Sequence, residues 1–205
     1  MYRKYIKRIL DIILALFALP FLVILIIIVS PLIWFSDRGP VFYCSKRRGK
    51  FGKVFNMYKF RTMYVGAPDI RNSDNSTYSS KDDPRVTKIG RFLRETSLDE
   101  VPQIINGVKG DMSWIGPRPP IPIPGHTWDD LNEKQKLRLT VRPGITGYNQ
   151  AYFRNTITRD ERWDNDCYYA KNVSFILDCK IAFKTFETVL KRKNLYSTSR
   201  DIKSC

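Results

Sequence analysis

Two adjacent carboxylates, Asp99 and Glu100, lie in the stretch RETSLDEVPQ, residues 94–103. Ser97, three residues before Glu100, gives this stretch the pattern of a helix capping box, in which both acids are ordinary first-turn residues. Pro102 argues against that register, because with Ser97 as the cap it falls at the fifth helical position and costs a hydrogen bond. With Asp99 as the cap, Pro102 falls at the third position and costs none. The pair is therefore a candidate for phosphoryl chemistry, with one carboxylate attacking phosphorus and the other holding Mg²⁺.

The charge of the chain indicates an anionic partner. Lysine and arginine outnumber aspartate and glutamate by 35 to 20, which gives a formal net charge of +15. Arg85, Arg118 and Arg142 each adjoin a proline, and a guanidinium on a rigid backbone is suited to bidentate binding of phosphate. The chain carries no known nucleic-acid-binding signature. The favoured anion is therefore a phosphorylated substrate rather than nucleic acid.

Cysteine and histidine usage argues against several other chemistries. The four cysteines form no CxxC pair, so neither a zinc site nor a redox motif is indicated, and a reducing, cytosol-facing environment is the simplest interpretation. His126 is the only histidine and lies in a loop rich in proline and glycine. A Ser-His-Asp or Cys-His mechanism is therefore not favoured.

An uncharged apolar segment, residues 12–35, predicts a membrane element. As a helix it covers roughly 36 Å, enough to cross a hydrocarbon core of about 30 Å. Basic residues both precede and follow it, which favours a re-entrant hairpin over a span, because positive flanks normally stay on the cytoplasmic side. Pro20, or Ser30 with Pro31, would supply the break, and the sequence leaves open which of these marks the apex.

The remaining segments predict a mixture of short strands and helices. In chain order, the patterns indicate a β-hairpin or two short strands from Pro40 to about Met63, a polar loop over 66–83, and helix over 85–111 with breaks near Ser97 and at Gly107. They then indicate a stiff extended loop over 116–125, a helix over 128–139, a Pro-Gly turn over 141–147, and a final helix over 172–193. The last helix carries an apolar stripe. That stripe is equally typical of an interfacial membrane helix and of a helix packed on the core.

Five motifs in one order resemble a known family. They are YKFRTM (58–63), DPRVTKIGRFLRETSLDEVPQ (83–103), NGVKGDMSWIGPRP (106–119), VRPGITG (141–147) and YYAKNVSFILDCKI (168–181). Together they resemble the bacterial sugar transferase family, the small monotopic polyprenyl-phosphate phosphoglycosyl transferases.

The resemblance implies a fold and a location. It implies a re-entrant membrane hairpin with its basic flank, residues 1–38, and a mixed α/β, helix-rich catalytic domain, residues 39–205, with amphipathic interfacial helices. The protein would be monotopic in the bacterial cytoplasmic (inner) membrane, with its catalytic domain facing the cytosol. The family's hairpin commonly breaks at a Ser-Pro pair near its middle, whereas Ser30-Pro31 comes late here.

The resemblance also implies an activity, its partners and site residues. A sugar 1-phosphate would pass from a UDP-sugar to undecaprenyl (polyprenyl) phosphate, releasing UMP, through a covalent phosphosugar on the aspartate. Anionic membrane lipids would be further partners, and nucleic acid would not. On this chain Asp99 would be the nucleophile and Glu100 the residue that holds Mg²⁺ beside it. The basic residues that match family motifs and would bind substrate phosphate are Lys59, Arg94 and Arg118, followed by Arg85 and Arg142.

Two hypotheses from other classes remain at this point. A non-catalytic membrane adapter would use its basic surface to recruit anionic partners or lipids, and would tolerate substitution of Asp99 and Glu100. A membrane-tethered nucleic-acid binder would show steeply salt-dependent binding.

Overall fold

The computed structural model describes residues 1–70, 78, 80, 82–153 and 156–191. These residues form the predicted mixed, helix-rich α/β structure, together with one long apolar N-terminal helix. A π-helical turn, Tyr2–Ile6, leads directly into that helix. The helices and strands are α1 (Lys7–Asp37), β1 (Phe42–Arg48), β2 (Val54–Phe60), α2 (Lys88–Thr96), α3 (Ile104–Lys109), β3 (Ser113–Ile115), α4 (Glu133–Arg138), β4 (Gly144–Thr146), α5 (Tyr148–Tyr152), α6 (Arg159–Lys171) and α7 (Phe175–Leu190).

Helix α1 is one uninterrupted helix, with Pro20 and Pro31 inside it. The structure does not show the two arms of the predicted hairpin, and neither proline nor Ser30 ends a helical segment. With the turn before it, α1 is the one helix in the described part of the chain that is long and apolar enough, by length and composition alone, to cross a membrane. The division into domains at residue 38 stays a prediction.

One face of α1 packs on the rest of the protein along its whole length. Its buried residues recur at helical spacing and are Asp11, Ala15, Leu22, Leu25, Val29 and Ile33. They contact two apolar clusters that include Phe60, Leu93 and Ile104. The opposite face exposes large apolar side chains from Ile9 to Phe35. Exposed apolar surface on this scale marks contact with a membrane or another protein.

Asp11 fixes α1 to strand β3. Its carboxylate accepts hydrogen bonds from the Ser113 hydroxyl at 3.0 Å and from the Trp114 backbone N–H at 3.1 Å. The Trp114 indole donates in turn to the Asp11 carbonyl at 3.1 Å. Only 4 % of Asp11 is exposed, and a buried carboxylate is tolerated when it is hydrogen-bonded in this way.

Both ends of α1 are also attached to later parts of the chain. Near the start, the Arg8 guanidinium donates to the Gly107 carbonyl at 2.9 Å, at the C-terminal end of α3. At the other end, Arg61, just after β2, forms an ion pair with Asp37. The helix thus contacts the rest of the described chain from its first turn to its last.

Strands β1 and β2 form the predicted hairpin. They pair antiparallel, with Phe42 opposite Phe60 and Arg48 opposite Val54. The described residues of the predicted polar loop over 66–83 contain no helix or strand, and the others lie outside the described residues. The predicted stiff loop over 116–125 is likewise without regular structure.

A second, parallel sheet of β3 and β4 was not predicted. Ser113 pairs with Gly144 and Ile115 with Thr146. A Cβ atom on Gly144 would lie 2.1 Å from the Gly116 nitrogen, and one on Gly147 would lie 2.0 Å from the Gly116 oxygen. The chains approach so closely here that only glycine fits.

The structure confirms one predicted helix break and contradicts the other. Helix α2 ends at Ser97, whose φ of 59° is left-handed. Helix α3 continues through Gly107 and ends at Gly110, where φ is 87°, so the predicted break at Gly107 is wrong. Helices commonly end at a glycine in the left-handed conformation. In the motif NGVKGD, that glycine is Gly110 and not Gly107.

The C-terminal helices differ from prediction mainly at their starts. Helix α4 is shorter than the predicted helix over 128–139, because Asn132 caps it through a capping box with Gln135. Helix α6 was missed, although Thr158 and Glu161 form a second capping box. Helix α7 begins after Ser174, which caps it.

Helix α7 has features of both interpretations of its stripe. Ile181 is fully buried in an apolar cluster with Tyr169 and Ala170. Several other large apolar side chains of the helix are exposed, namely Phe175, Ile176, Phe183, Phe186 and Leu190. One edge therefore packs on the core and another is available to a membrane surface.

Cys44, Cys167 and Cys179 are free thiols.

Candidate active site

Asp99 and Glu100 lie in a 3₁₀ segment, Leu98–Gln103, between α2 and α3. Ser97 ends α2 in the left-handed region and makes no side-chain cap bond, so the capping-box interpretation is wrong. The alternative with Asp99 as the cap is also not what forms, because the segment begins at Leu98. Leu98 and Val101 pack on the core cluster under α1, which turns the two carboxylates toward the edge of β2.

Glu100 is bound by two cations from distant parts of the chain. Its Oε1 accepts a hydrogen bond from Lys59 Nζ of β2 at 2.5 Å and one from Arg118 Nη1 at 3.3 Å. Burial disfavours the ionised carboxylate, but Lys59 and Arg118 outweigh that effect and lower the pKa of Glu100 to about 2. Glu100 is therefore negatively charged at any physiological pH.

Asp99 differs from Glu100 in having no hydrogen bond. Its nearest cation is Lys59, whose Nζ lies 3.6 Å from Oδ2, and no hydrogen bond to the Asp99 carboxylate forms within the described residues. Only 9 % of the residue is exposed. Burial raises the pKa of Asp99, the neighbouring Glu100 charge raises it further, and Lys59, Arg94 and Arg118 oppose both. The result is a desolvated carboxylate surrounded by cations.

Arg94 is positioned by the junction of α2 with the end of β2. Its Nε donates to the Thr62 hydroxyl at 2.9 Å, and its charge acts on Asp99. The helix comes this close because Gly90 lies against Thr62, where a Cβ atom would be 2.0 Å from the Thr62 oxygen.

Arg118 reaches the site from the proline-rich loop that follows β3. The Arg118 carbonyl accepts a hydrogen bond from Arg138 Nη2 at 2.9 Å, which holds its backbone. Its side chain is 51 % exposed, so the guanidinium can move between Glu100 and a bound anion. Three of the five predicted phosphate-binding residues, Lys59, Arg94 and Arg118, thus lie around the two carboxylates.

Comparison with known proteins identifies the family of this chain. Residues 2–192 match the family described as bacterial sugar transferase. The chain belongs to the bacterial sugar transferase family. That membership confirms the family and the general class of enzyme predicted from the five motifs.

Individual relatives of the transferase give the extent of the similarity. An uncharacterized sugar transferase of Bacillus subtilis is 38 % identical over 195 residues, covering 94 % of this chain and 91 % of that protein. An undecaprenyl-phosphate galactose phosphotransferase of Salmonella typhimurium is 36 % identical over 210 residues, or 94 % of this chain. An undecaprenyl-phosphate glucose phosphotransferase of Komagataeibacter xylinus is 36 % identical over 198 residues, or 93 % of this chain. The chain covers only 42 % and 37 % of the last two proteins.

Two predicted phosphate-binding arginines of the transferase lie apart from the carboxylates. The Arg85 guanidinium is buried in an ion pair with Asp83, at 2.7 Å, and donates to the Pro68 carbonyl at 2.9 Å. Arg142 donates through Nε to the Gly110 carbonyl at 3.0 Å and lines a separate cleft. Neither contacts Asp99 or Glu100, and a role in binding substrate phosphate stays a prediction for both.

Asn106 is a buried residue that holds β2 in place, and the sequence interpretation did not single it out. It is fully buried, accepts from the Tyr58 N–H at 3.1 Å and donates to the Asn56 carbonyl at 2.7 Å. These bonds join α3 to the backbone of β2 next to Lys59. A single asparagine that joins a helix to a distant strand cannot be recognised from hydrophobic periodicity. Its position in the quoted motif NGVKGD was the one signal in the sequence that could have drawn attention to it.

The carboxylate oxygens of Asp99 and Glu100 suit the predicted Mg²⁺ if the substrate supplies further ligands to the ion. No group of three or more potential ligands from His, Cys, Asp and Glu occurs in the described ranges. Mg²⁺ is, however, usually held by one or two carboxylates together with substrate phosphates and water. Both bonds to Glu100 use Oε1, which leaves Oε2 as a ligand beside Asp99.

Proposed function

We propose that the protein transfers a sugar 1-phosphate from a UDP-sugar to undecaprenyl phosphate, giving a polyprenyl-diphosphate sugar and UMP. This is the first membrane step in assembling a bacterial glycoconjugate. The observation that carries the proposal is Asp99, a nearly buried carboxylate without a hydrogen bond, beside Glu100, Lys59 and Arg118. The names of relatives, which include a UDP-galactose-lipid carrier transferase of Erwinia amylovora, support the substrate classes.

In the first half-reaction Asp99 attacks the phosphorus that carries the sugar. A carboxylate oxygen forms a bond to that phosphorus, the bond to the bridging oxygen breaks, and UMP leaves with that oxygen. Lys59 lies within 3.6 Å of both carboxylates, where it offsets the negative charge that gathers as the diphosphate approaches. Preorganised cations of this kind supply most of the catalysis in phosphoryl transfer.

In the second half-reaction the lipid phosphate takes the place of water. One of its oxygens attacks the same phosphorus, the bond to Asp99 breaks, and the carboxylate is restored with the polyprenyl-diphosphate sugar as product. Burial of Asp99 serves this step as well, because a desolvated site excludes water that would hydrolyse the intermediate.

A Mg²⁺ ion is part of the proposal. Glu100 through Oε2, with Asp99 beside it, would hold the ion, and the bound metal would neutralise charge on the diphosphate. Glu100 suits this role because its low pKa, about 2, keeps it ionised without a proton to displace.

We also propose that α1 enters and leaves the bilayer on the cytosolic face. A helix of 31 residues is about 46 Å long at about 1.5 Å per residue, and lipid would have to surround about 30 Å of it in a crossing. The domain instead contacts α1 at Arg8, Asp11 and Asp37. One domain cannot hold both ends and one side of a helix that crosses to the opposite surface. The exposed apolar faces of α1 and α7 would lie in a single leaflet, next to anionic lipids.

The reaction is tested by separating its two halves. Purified protein, Mg²⁺ and a UDP-sugar without acceptor should release at most one UMP per enzyme and gain the mass of one phosphosugar on Asp99. Adding undecaprenyl phosphate should then give continuous turnover. UDP-galactose and UDP-glucose are the first sugars to test. Continuous UMP release with no acceptor, or turnover with no adduct, would contradict the covalent route.

The topology is tested by cysteine labelling. In a background with the native cysteines replaced by serine, Lys4→Cys and Ser36→Cys place one thiol near each end of α1. An impermeant maleimide should label neither position in intact spheroplasts and both after lysis. Labelling of only one position before lysis would show that the helix crosses the membrane.

A further inference from the structure

A small cleft near the start of α1 collects basic side chains away from Asp99. Its lining includes five cations and one carboxylate: Arg3, Lys7, Arg8, Lys50, Arg142 and Asp11. None of the five cations contacts Asp99 or Glu100. Clefts that bind a whole small molecule are usually about 300–1,000 Å³. This one has a volume of about 30 Å³, so it suits a small ionic group and not a nucleotide sugar.

The positive charge of this cleft is not balanced within the described chain. Lys7 is paired with Asp178 at 2.6 Å, and Asp11 is used by Ser113 and Trp114. Among the described residues no ion pair forms to Arg3, Arg8, Lys50 or Arg142. Like charges gathered in one cleft repel each other, and an anion bound between them removes that cost.

Lys50 and Arg142 have the donors that such an anion would need. Arg142 uses only Nε, toward the Gly110 carbonyl, and its terminal nitrogens make no hydrogen bond to described residues. The Lys50 ammonium makes no hydrogen bond to them either, and it lies 4.8 Å from the centroid of the Phe51 ring. Burial lowers the pKa of Lys50, and the charges of Arg142 and Arg3 lower it further.

The position of the cleft indicates where its ligand comes from. Tyr2, next to the cleft, packs edge-on against Phe175 at the start of α7, with ring centroids 5.9 Å apart. Phe175 and Ile176 are exposed there, and the exposed apolar face of α1 begins at Ile9. The cleft therefore lies at the boundary between apolar surface and polar surface. Lipid phosphate groups occupy that level of a membrane.

We propose that this cleft binds the phosphate group of an acidic membrane lipid, as a second anion site separate from the catalytic carboxylates. The assignment rests on the proposed membrane attachment of α1 and does not depend on the reaction at Asp99. The lipid phosphate would accept hydrogen bonds from Lys50 and the terminal nitrogens of Arg142, which are charge-assisted and therefore strong.

The test measures lipid binding by the full chain in a nonionic detergent. Short-chain phosphatidylglycerol, short-chain phosphatidylcholine and inorganic phosphate are titrated separately, and bound ligand is counted by native mass spectrometry. We expect phosphatidylglycerol to bind best, and Lys50→Gln to weaken that binding by roughly tenfold, as expected for loss of a charged hydrogen bond. Lys50→Arg should bind like the original protein.

Lys53→Gln is the matched control. Lys53 is exposed three residues away, does not line the cleft, and its replacement removes the same single charge. It should change the affinity for phosphatidylglycerol by less than about twofold. Equal losses in the two variants, or no loss in Lys50→Gln, would overturn the site. Binding of inorganic phosphate in preference to phosphatidylglycerol would overturn the lipid assignment.

Two further variants keep the result independent of folding and of catalysis. The Lys50 side chain makes no hydrogen bond to the described residues, so Lys50→Gln should unfold at the same temperature as the original protein. Arg142→Gln should weaken lipid binding in the same direction. Asp99→Asn should bind lipid normally while losing turnover, so that a failed lipid site and a failed reaction give different results.

Discussion

Asp99 and Asp166 are both nearly buried carboxylates beside arginines, and burial raises the pKa of each. Asp166 pairs with Arg138 at 2.5 Å and accepts from the Asn149 amide at 2.8 Å. Asp99 has Lys59 at 3.6 Å and no hydrogen bond among the described residues. A raised pKa alone therefore does not distinguish a reactive carboxylate from a structural one. The feature that separates the two is whether the carboxylate oxygens already accept hydrogen bonds from other residues of the protein.

The largest expected effect comes from exchanging Asp99. Asp99→Asn should reduce turnover by more than about 10³-fold, because it removes the nucleophile. In the unsubstituted protein the pKa of Asp99 is raised, so the ionised carboxylate is less favourable in the folded than in the unfolded state. The contribution of Asp99 to the free energy of unfolding therefore falls as pH rises through the folded pKa. The neutral amide should therefore leave the free energy of unfolding unchanged or higher. UMP release and thermal unfolding, measured on the same preparation, check both parts.

Exchanging Asp166 should give the reverse pattern. Asp166→Asn leaves the Arg138 guanidinium buried without its counter-charge, which should cost about 3–5 kcal/mol of unfolding free energy. Turnover per folded molecule should stay within a few-fold. Denaturant unfolding and an active-site titration separate the two quantities. A loss of chemistry larger than the loss of folded protein would place Asp166 in the catalytic machinery and break the comparison.

A smaller effect should follow from removing the cation that Asp99 shares with Glu100. The rate of adduct formation should fall as pH drops through the pKa of Asp99, since the proposed nucleophile must be ionised. Lys59→Met removes a charge that holds this pKa down, so the acid side of the profile should move to higher pH. Single-turnover rates across pH measure the shift. An unmoved profile would mean that another group limits the rate in acid.

The smallest effect should come from Asn149, the neutral partner of Asp166. Asn149→Ala removes the hydrogen bonds to Asp166 and to the Arg162 carbonyl, which should cost about 1–3 kcal/mol. Adduct formation should be unchanged. Comparing its unfolding midpoint with that of Asp166→Asn shows how much of the pair's stability depends on the ion pair itself.

Short sequence patterns predicted those parts of the fold that are determined by neighbouring residues. The hairpin of β1 and β2, the break at Ser97 and the stiff proline loop follow from strand propensity, turn chemistry and fixed proline φ. The gathering of Lys59, Glu100 and Arg118 was predictable only through the motif order, because these residues come from three separate elements.

Long-range features escaped prediction for physical reasons. Strands β3 and β4 have three residues each, too few for a period-2 signal, and their pairing depends on close backbone contact at Gly116 and Gly144. Arg85 and Arg142 adjoin prolines just as Arg118 does, yet only Arg118 reaches the carboxylates. Stiff backbone next to an arginine indicates an ordered guanidinium, not which anion it meets.

The bonds of Asp11 to Ser113 and Trp114 bear on how a lipid and a nucleotide meet. An amphipathic helix held only by apolar contacts can rotate about its axis and slide along it. A buried carboxylate bound at two donors of β3 opposes both motions, so the residues that follow α1 set which of its faces is exposed. In the proposed membrane attachment, the same bonds would also set the height of the Asp99 carboxylate above the acyl chains. A water-soluble donor and a membrane-bound acceptor would then reach one phosphorus atom without either leaving its own phase.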